Sequence, residues 1–134
     1  MGDDLAPILQ FSILCDGIAQ PKELLGKLII IGVFQNITRP GVIPQMFIVN
    51  CWVNGSGKHT QQLKILKPDL SVLHQGEVES FELASRAHSH FGVAGFVNFD
   101  LPVPGVYWIQ HFLDGAPFIS YPLPVLESSG TVAS

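Results

Sequence analysis

Pro104-Gly105, Val106 to Leu113, Asp114-Gly115 and Pro117 to Leu126 follow one another in the C-terminal third of the chain. Two apolar, β-type runs joined by Asp-Gly are the strongest short-range hairpin signal a sequence offers, so the fold class reads as all-β with antiparallel pairing. Asp-Gly is compatible with a two-residue type I′ loop or with a type I turn closed by a Gly bulge, and the two differ by one residue of register. The bulge is the favoured reading. It opposes Ile109 to Ile119 and Tyr107 to Tyr121 on the inward face and leaves Trp108, Gln110, Ser120 and Pro122 together outside. Pro122 and Pro124 lie two apart, so both missing N–H groups fall on one side of the strand and make it a sheet edge blunted against further pairing.

Turn signals recur upstream every ten residues or so, and no segment sustains a 3.6-residue period over three turns, which is the pattern of a sandwich or barrel. The expected strands are Leu9 to Ile18, Lys27 to Ile37, Gln45 to Val53, His59 to Leu66, Val72 to Glu77, Val93 to Leu101, Val106 to Leu113 and Phe118 to Leu126. About eight strands in a single antiparallel β-sandwich over residues 1–127 is the expected architecture, with Ser128 to Ser134 as a small, polar tail. Lys22 to Leu25 and Phe81 to Ala87 each have the composition of a helical turn. In Gln45 to Val53 the alternates Phe47, Val49, Cys51 and Val53 form one apolar face, assigned to the core. Met46, Ile48, Asn50 and Trp52 form the other, assigned outward.

With 134 residues, 47% hydrophobic, the chain can bury a core without staples. Charged residues make up only 13% and the net charge is −4, while the seven basic residues are scattered, so no stripe exists to neutralise phosphates and nucleic acid is excluded as a partner. A mean hydropathy of +0.35 with so little charge leaves apolar surface for another subunit, and the expectation is a homo-oligomer, most simply a two-fold dimer. The first residues, Met-Gly-Asp-Asp-Leu-Ala-Pro, are acidic where a secretory signal needs a basic region, and the run Leu28 to Phe34 is far too short to span a membrane. A cytoplasmic protein without membrane contact is expected, with Cys15 and Cys51 as buried reduced thiols.

Phe11-Ser12-Ile13-Leu14-Cys15-Asp16, then Gly26-Lys27-Leu28-Ile29-Ile30-Ile31-Gly32-Val33-Phe34, Pro44, and later Pro104-Gly105-Val106-Tyr107 with Asp114-Gly115, resemble a family of small uncharacterised bacterial proteins, a domain of unknown function. The resemblance covers nearly the whole chain and implies an immunoglobulin-like Greek-key β-sandwich. It brings no activity and no site residues.

The residues that could carry chemistry are few. Gly55-Ser56-Gly57-Lys58-His59-Thr60 lacks the phosphate-loop spacing and has no helix after it, so it reads as a hairpin loop with a solvated lysine. His88 and His90, at i and i+2, could share a metal if His74, Glu77, Glu79, Glu82 or His111 supplied a third ligand; the alternative is an exposed polar loop. Asp69, Asp100 and Asp114 sit at turns without a calcium-loop spacing. Trp52 and Trp108 both fall outward in this reading, with Met46, Ile48, Phe112 and Phe118 near them. Indoles there suit a subunit contact more than a sugar platform, because the neighbours are greasy. The other possibility is that one assignment is inverted and that indole is core. No catalytic set is present, so the expectation is a non-enzymatic interaction or structural module without a cofactor. A small-ligand or carbohydrate binder using exposed aromatics comes second and a His-dependent metalloprotein third.

Overall fold

The strand patterns resolve, in a computed structural model that describes residues 4–23 and 26–127, into nine strands and, among those residues, no helix. They are β1 (Ile8–Ala19), β2 (Ile29–Phe34), β3 (Gly41–Val53), β4 (Gly57–Leu66), β5 (Val72–Gln75), β6 (Glu79–Leu83), β7 (Ser89–Leu101), β8 (Gly105–Leu113) and β9 (Ala116–Val125). Two antiparallel sheets result. One has the order β2-β1-β3-β7; the other runs β5-β4-β8-β9, with β6 also paired to β4. The expected tail Ser128 to Ser134, and the Leu24-Leu25 half of the expected turn at Lys22 to Leu25, lie outside the described residues.

The hairpin pairs as expected but in a different register. Asp114 (φ 52°) and Gly115 (φ 81°) form a two-residue loop between Leu113 and Ala116, the left-handed pair that a type I′ turn requires. A separate bulge follows, because His111 opposes Ile119 while Phe112 opposes Pro117, leaving Phe118 as the extra residue. Ile109 therefore meets Tyr121 and Tyr107 meets Leu123, two residues from the expected pairs. A shift of two preserves parity, so the faces stay as read. The loop conformation is fixed from a distance: the Asp114 carboxylate accepts the Thr60 N–H at 2.9 Å and bonds His59 at 2.8 Å. β9 is an edge strand, and on the side away from β8 Ile37 bridges to Val125.

Several segments depart from the sequence reading. β7 begins at Ser89, four residues before the expected Val93, and pairs from there with Asn50 to Val53. Phe81 to Ala87 is not a helical turn: Glu79–Leu83 is a strand on the first half of β4, burying Phe81 and Leu83, and a turn closed by His88 N–H to Ser85 C=O follows. β3 starts four residues early and runs through Pro44. That is possible because β1 has ended its pairing by Phe47, so only β7 borders this stretch.

Residues from both sheets fill the space between them. Leu14, Met46, Ile48 and Phe96 pack with Ile65, Tyr107, Ile109 and Leu123 in the main cluster. A smaller one at the other end holds Trp52, Phe81, Leu83 and Leu113.

Candidate functional site

The inward parity of β3 is the opposite of the sequence assignment. Met46, Ile48 and Trp52 are 0% exposed and sit between the sheets. Trp52 stacks on Phe81 at 6.1 Å, stands edge-on to Phe118 at 5.1 Å, and donates its indole N–H to Gln61 Oε1 at 2.8 Å. Phe118 is therefore drawn inward onto Trp52 by the β9 bulge rather than joining an outer patch. Asn50, assigned outward with Met46, Ile48 and Trp52, is buried against the facing sheet, its amide 3.0 Å from that of Gln61. Trp108 and Phe112 do point outward, from the five-stranded sheet. Lys64 Nζ lies 4.7 Å over the Phe112 ring.

Asn50, Gln61, Ser12, His111 and Tyr121 form a polar belt between the two apolar clusters. Ser12 Oγ lies 2.7 Å from both His111 Nε2 and Tyr121 Oη, which fixes a chain of hydrogen bonds across the sheets. Burial pushes the His111 pKa down to about 4, so the imidazole is neutral at pH 7 and a weak base. No carboxylate hydrogen-bonds to His111 among the described residues, and the Ser12–His111 pair serves as a strut rather than an activated nucleophile. Gly92 lies against this belt because a Cβ there would come within 2.6 Å of Asn50 Oδ1. Beside the belt opens a cleft of about 110 Å³, lined by Asn50, Gln61, His74, Glu77, Gly92 and His111 among others. Burial also lowers the pKa of His74.

His88 and His90 are not brought together as a ligand pair. His88 is exposed in the turn and bonded to Ser85 Oγ, whereas His90 points inward from β7 and stacks on Phe81 at 4.7 Å. Among the described residues no three His, Cys, Asp or Glu side chains are placed to share a metal ion. The glycine loop at Gly55 to Gly57 is closed over by the N-terminal segment: Ser56 N–H donates to Leu5 C=O at 2.9 Å, and a Cβ on Gly55 would meet Pro7 at 2.8 Å. No cradle for phosphate remains there. Its neighbour His59 is held by two acceptors, Asp114 Oδ2 and Ser56 C=O, each at 2.8 Å. Two acceptors require both ring nitrogens to carry protons. Burial pulls the His59 pKa down, but these hydrogen bonds outweigh it and leave the value raised.

What the sequence reading missed is the outer face of β2-β1-β3-β7. With Leu14, Met46 and Ile48 inward, alternation sends Phe11, Ile13 and Cys15 of β1 outward, beside Ile31 and Val33 of β2. From β3 come Phe47, Val49, Cys51 and Val53, and from β7 Phe91, Val93 and Val97. The remaining outward positions up to Gln45 on β3 and Val97 on β7 are Ile8, Gly17, Ala19, Ile29 and Gly95, with Gln45 and Ser89 at opposite ends. None of these holds a charge; beyond Asn98 (φ 52°), where Phe99 and Leu101 turn to the core, Asp100 opposite the exposed Val42 puts one carboxylate at the far end of the sheet. Val49, Cys15 and Cys51 are buried here without belonging to either core cluster, roofed by larger side chains such as Phe11 and Phe91, whose rings lie 6.2 Å apart. Val33, Val93 and Val97 stand 50%, 42% and 74% exposed. A signal existed: both parities of Gln45 to Val53 are apolar, as in strands covered on both faces.

Cys15 and Cys51 are free, and burial raises both thiol pKa values. No described helix is long and apolar enough to cross a membrane. No curated protein matches the sequence. The sequence profile of DUF6941, a family of unknown function, matches residues 10–126, and the chain belongs to that family.

Proposed function

We propose that this protein is a non-catalytic β-sandwich interaction module that works through the outer face of β2-β1-β3-β7. The observation that carries the reading is the absence of charge from Gln45 to Val53, from Ser89 to Val97 and at the β1 and β2 positions beside them, with Asp100 only at the far end, in an antiparallel sheet whose other face already covers the core. Such sheets ordinarily alternate apolar-in with polar-out. A large apolar patch on a folded domain marks a contact surface.

The same proposal includes an immunoglobulin-like arrangement. Taking β3, β4, β7, β8 and β9 as strands B, C, E, F and G, B neighbours E in one sheet, while C, F and G are neighbours in the other. Tyr107, near the start of the F-like strand, donates its hydroxyl to Val103 C=O at 2.7 Å, as a tyrosine corner does. Two free, buried thiols support a cytoplasmic location. Bacterial origin rests on the resemblance alone.

A cysteine placed at Val93 tests the contact reading whatever the occupant. In extract from cells producing the protein at native levels, Val93→Cys is expected to resist a maleimide that readily labels Thr60→Cys on the other sheet's outer face. Equal labelling of the two would overturn the proposal. A second reading, small-ligand binding, is favoured by the cleft that Asn50, Gln61, His74 and His111 line rather than by the aromatics at Trp108. Chemical-shift changes confined to Gly76, Gly92 and His111 on adding a polar metabolite mixture would support it.

A further inference from the structure

Resting on that contact reading, we infer that the occupant of the β2-β1-β3-β7 outer face is a second copy of this chain, packed face to face about a two-fold axis. Area is the first argument. Four strands about 4.8 Å apart and about nine residues long, at about 3.3 Å each, outline roughly 550 Å² per copy and 1,100 Å² per pair. A stable interface needs about 1,000 Å².

Charge is the second argument. An uncharged face stacked on a charged one would bury ions without partners, which is strongly unfavourable. The outer face of the five-stranded sheet carries Lys58, Lys64 and Glu82, so head-to-tail stacking of copies is disfavoured. Self-pairing of the uncharged face meets no such cost, and a two-fold contact closes the assembly so that no apolar face is left to propagate a fibre. Gln45 and Ser89, at opposite ends of the apolar area, with Asp100 beyond Gln45, supply the polar rim that such contacts have around an apolar centre.

Sedimentation of the purified full chain over micromolar concentrations tests this. Twice the 14.6 kDa chain mass is expected. Val93→Glu on β7 and Val33→Lys on β2 are already half exposed, so each should keep the wild-type circular dichroism while weakening association at least about a hundredfold. Lys64→Glu, on the other sheet, should leave the mass unchanged. A wild-type monomer at high micromolar concentration overturns the inference. If Val93→Cys is nonetheless protected in extract, the contact reading survives and the partner is a different protein. Sensitivity to Val93→Glu but not to Val33→Lys also overturns it, pointing instead to pairing along the β7 edge. Should Val93→Glu fail to fold, Val33→Lys decides alone.

Discussion

The two outer faces of this protein are built on the same kind of antiparallel sheet and have opposite chemistry. On the five-stranded sheet, Lys58, Thr60, Gln62 and Lys64 of β4 stand beside Trp108, Gln110 and Phe112 of β8, and Lys64 lies over the one phenyl ring. On the four-stranded sheet, the corresponding positions are Phe47, Val49, Cys51 and Val53 between Ile13 and Val93. Isolated aromatics in a polar face are normal for a solvated surface; an unbroken apolar face is not. The difference teaches that an outward tryptophan is a weaker guide to a contact surface than the charge pattern of a whole sheet.

The largest test of that contrast exchanges the two indoles for alanine. Trp52→Ala removes a fully buried side chain from between the sheets, and urea unfolding should show a loss of about 3–5 kcal/mol. Trp108→Ala, on the solvated face, should cost about 1 kcal/mol and leave the sedimenting mass unchanged. Equal costs would mean that Trp52 is not the interior member of the pair, and with it would fall the β3 parity that puts Phe47, Val49 and Cys51 on the outer face.

The interior histidines separate stability from association. His111 has a depressed pKa, so between pH 6.5 and about 4 the unfolded chain binds the extra proton, and stability falls by roughly 3 kcal/mol as the pH drops through that window. His59 has a raised pKa. Its contribution is complete below the unfolded value of 6.5 and is lost as the pH rises through its folded value. Unfolding followed from pH 4 to 9 should therefore show maximal stability near neutrality, and His59→Gln should flatten the alkaline limb. The smallest expected effect is on association itself: an interface without charges should change its dissociation constant by less than about threefold between 0.05 and 0.5 M NaCl. A steep salt dependence would move the contact to the charged sheet.

The hairpin was legible because Asp114-Gly115 and the alternation on either side are local information. Its register was not, because the Asp114 carboxylate is held by His59 and Thr60, more than fifty residues away in sequence. Glu79 to Leu83 escaped notice as a strand because its alternates include charges and it is short; it pairs only on the first half of β4. The inversion of β3 has a deeper cause. Both of its parities are apolar, so the period of two could not choose between them. Asn50 gave no sign of its burial, since the Gln61 amide that satisfies it comes from the facing sheet. Trp108 was placed correctly because Gln110 and Pro122, its outward companions, are polar or edge residues.

Intermolecular contacts seen by isotope-filtered NMR, in a dimer mixed from labelled and unlabelled chains, test the central claim most directly. Nuclear Overhauser effects between copies should link the methyls of Val33, Val93 and Val97 to the rings of Phe47 and Phe91, with none at Trp108. Intermolecular effects centred on Trp108 and Phe112, or an absence of any between copies at millimolar concentration, would contradict it.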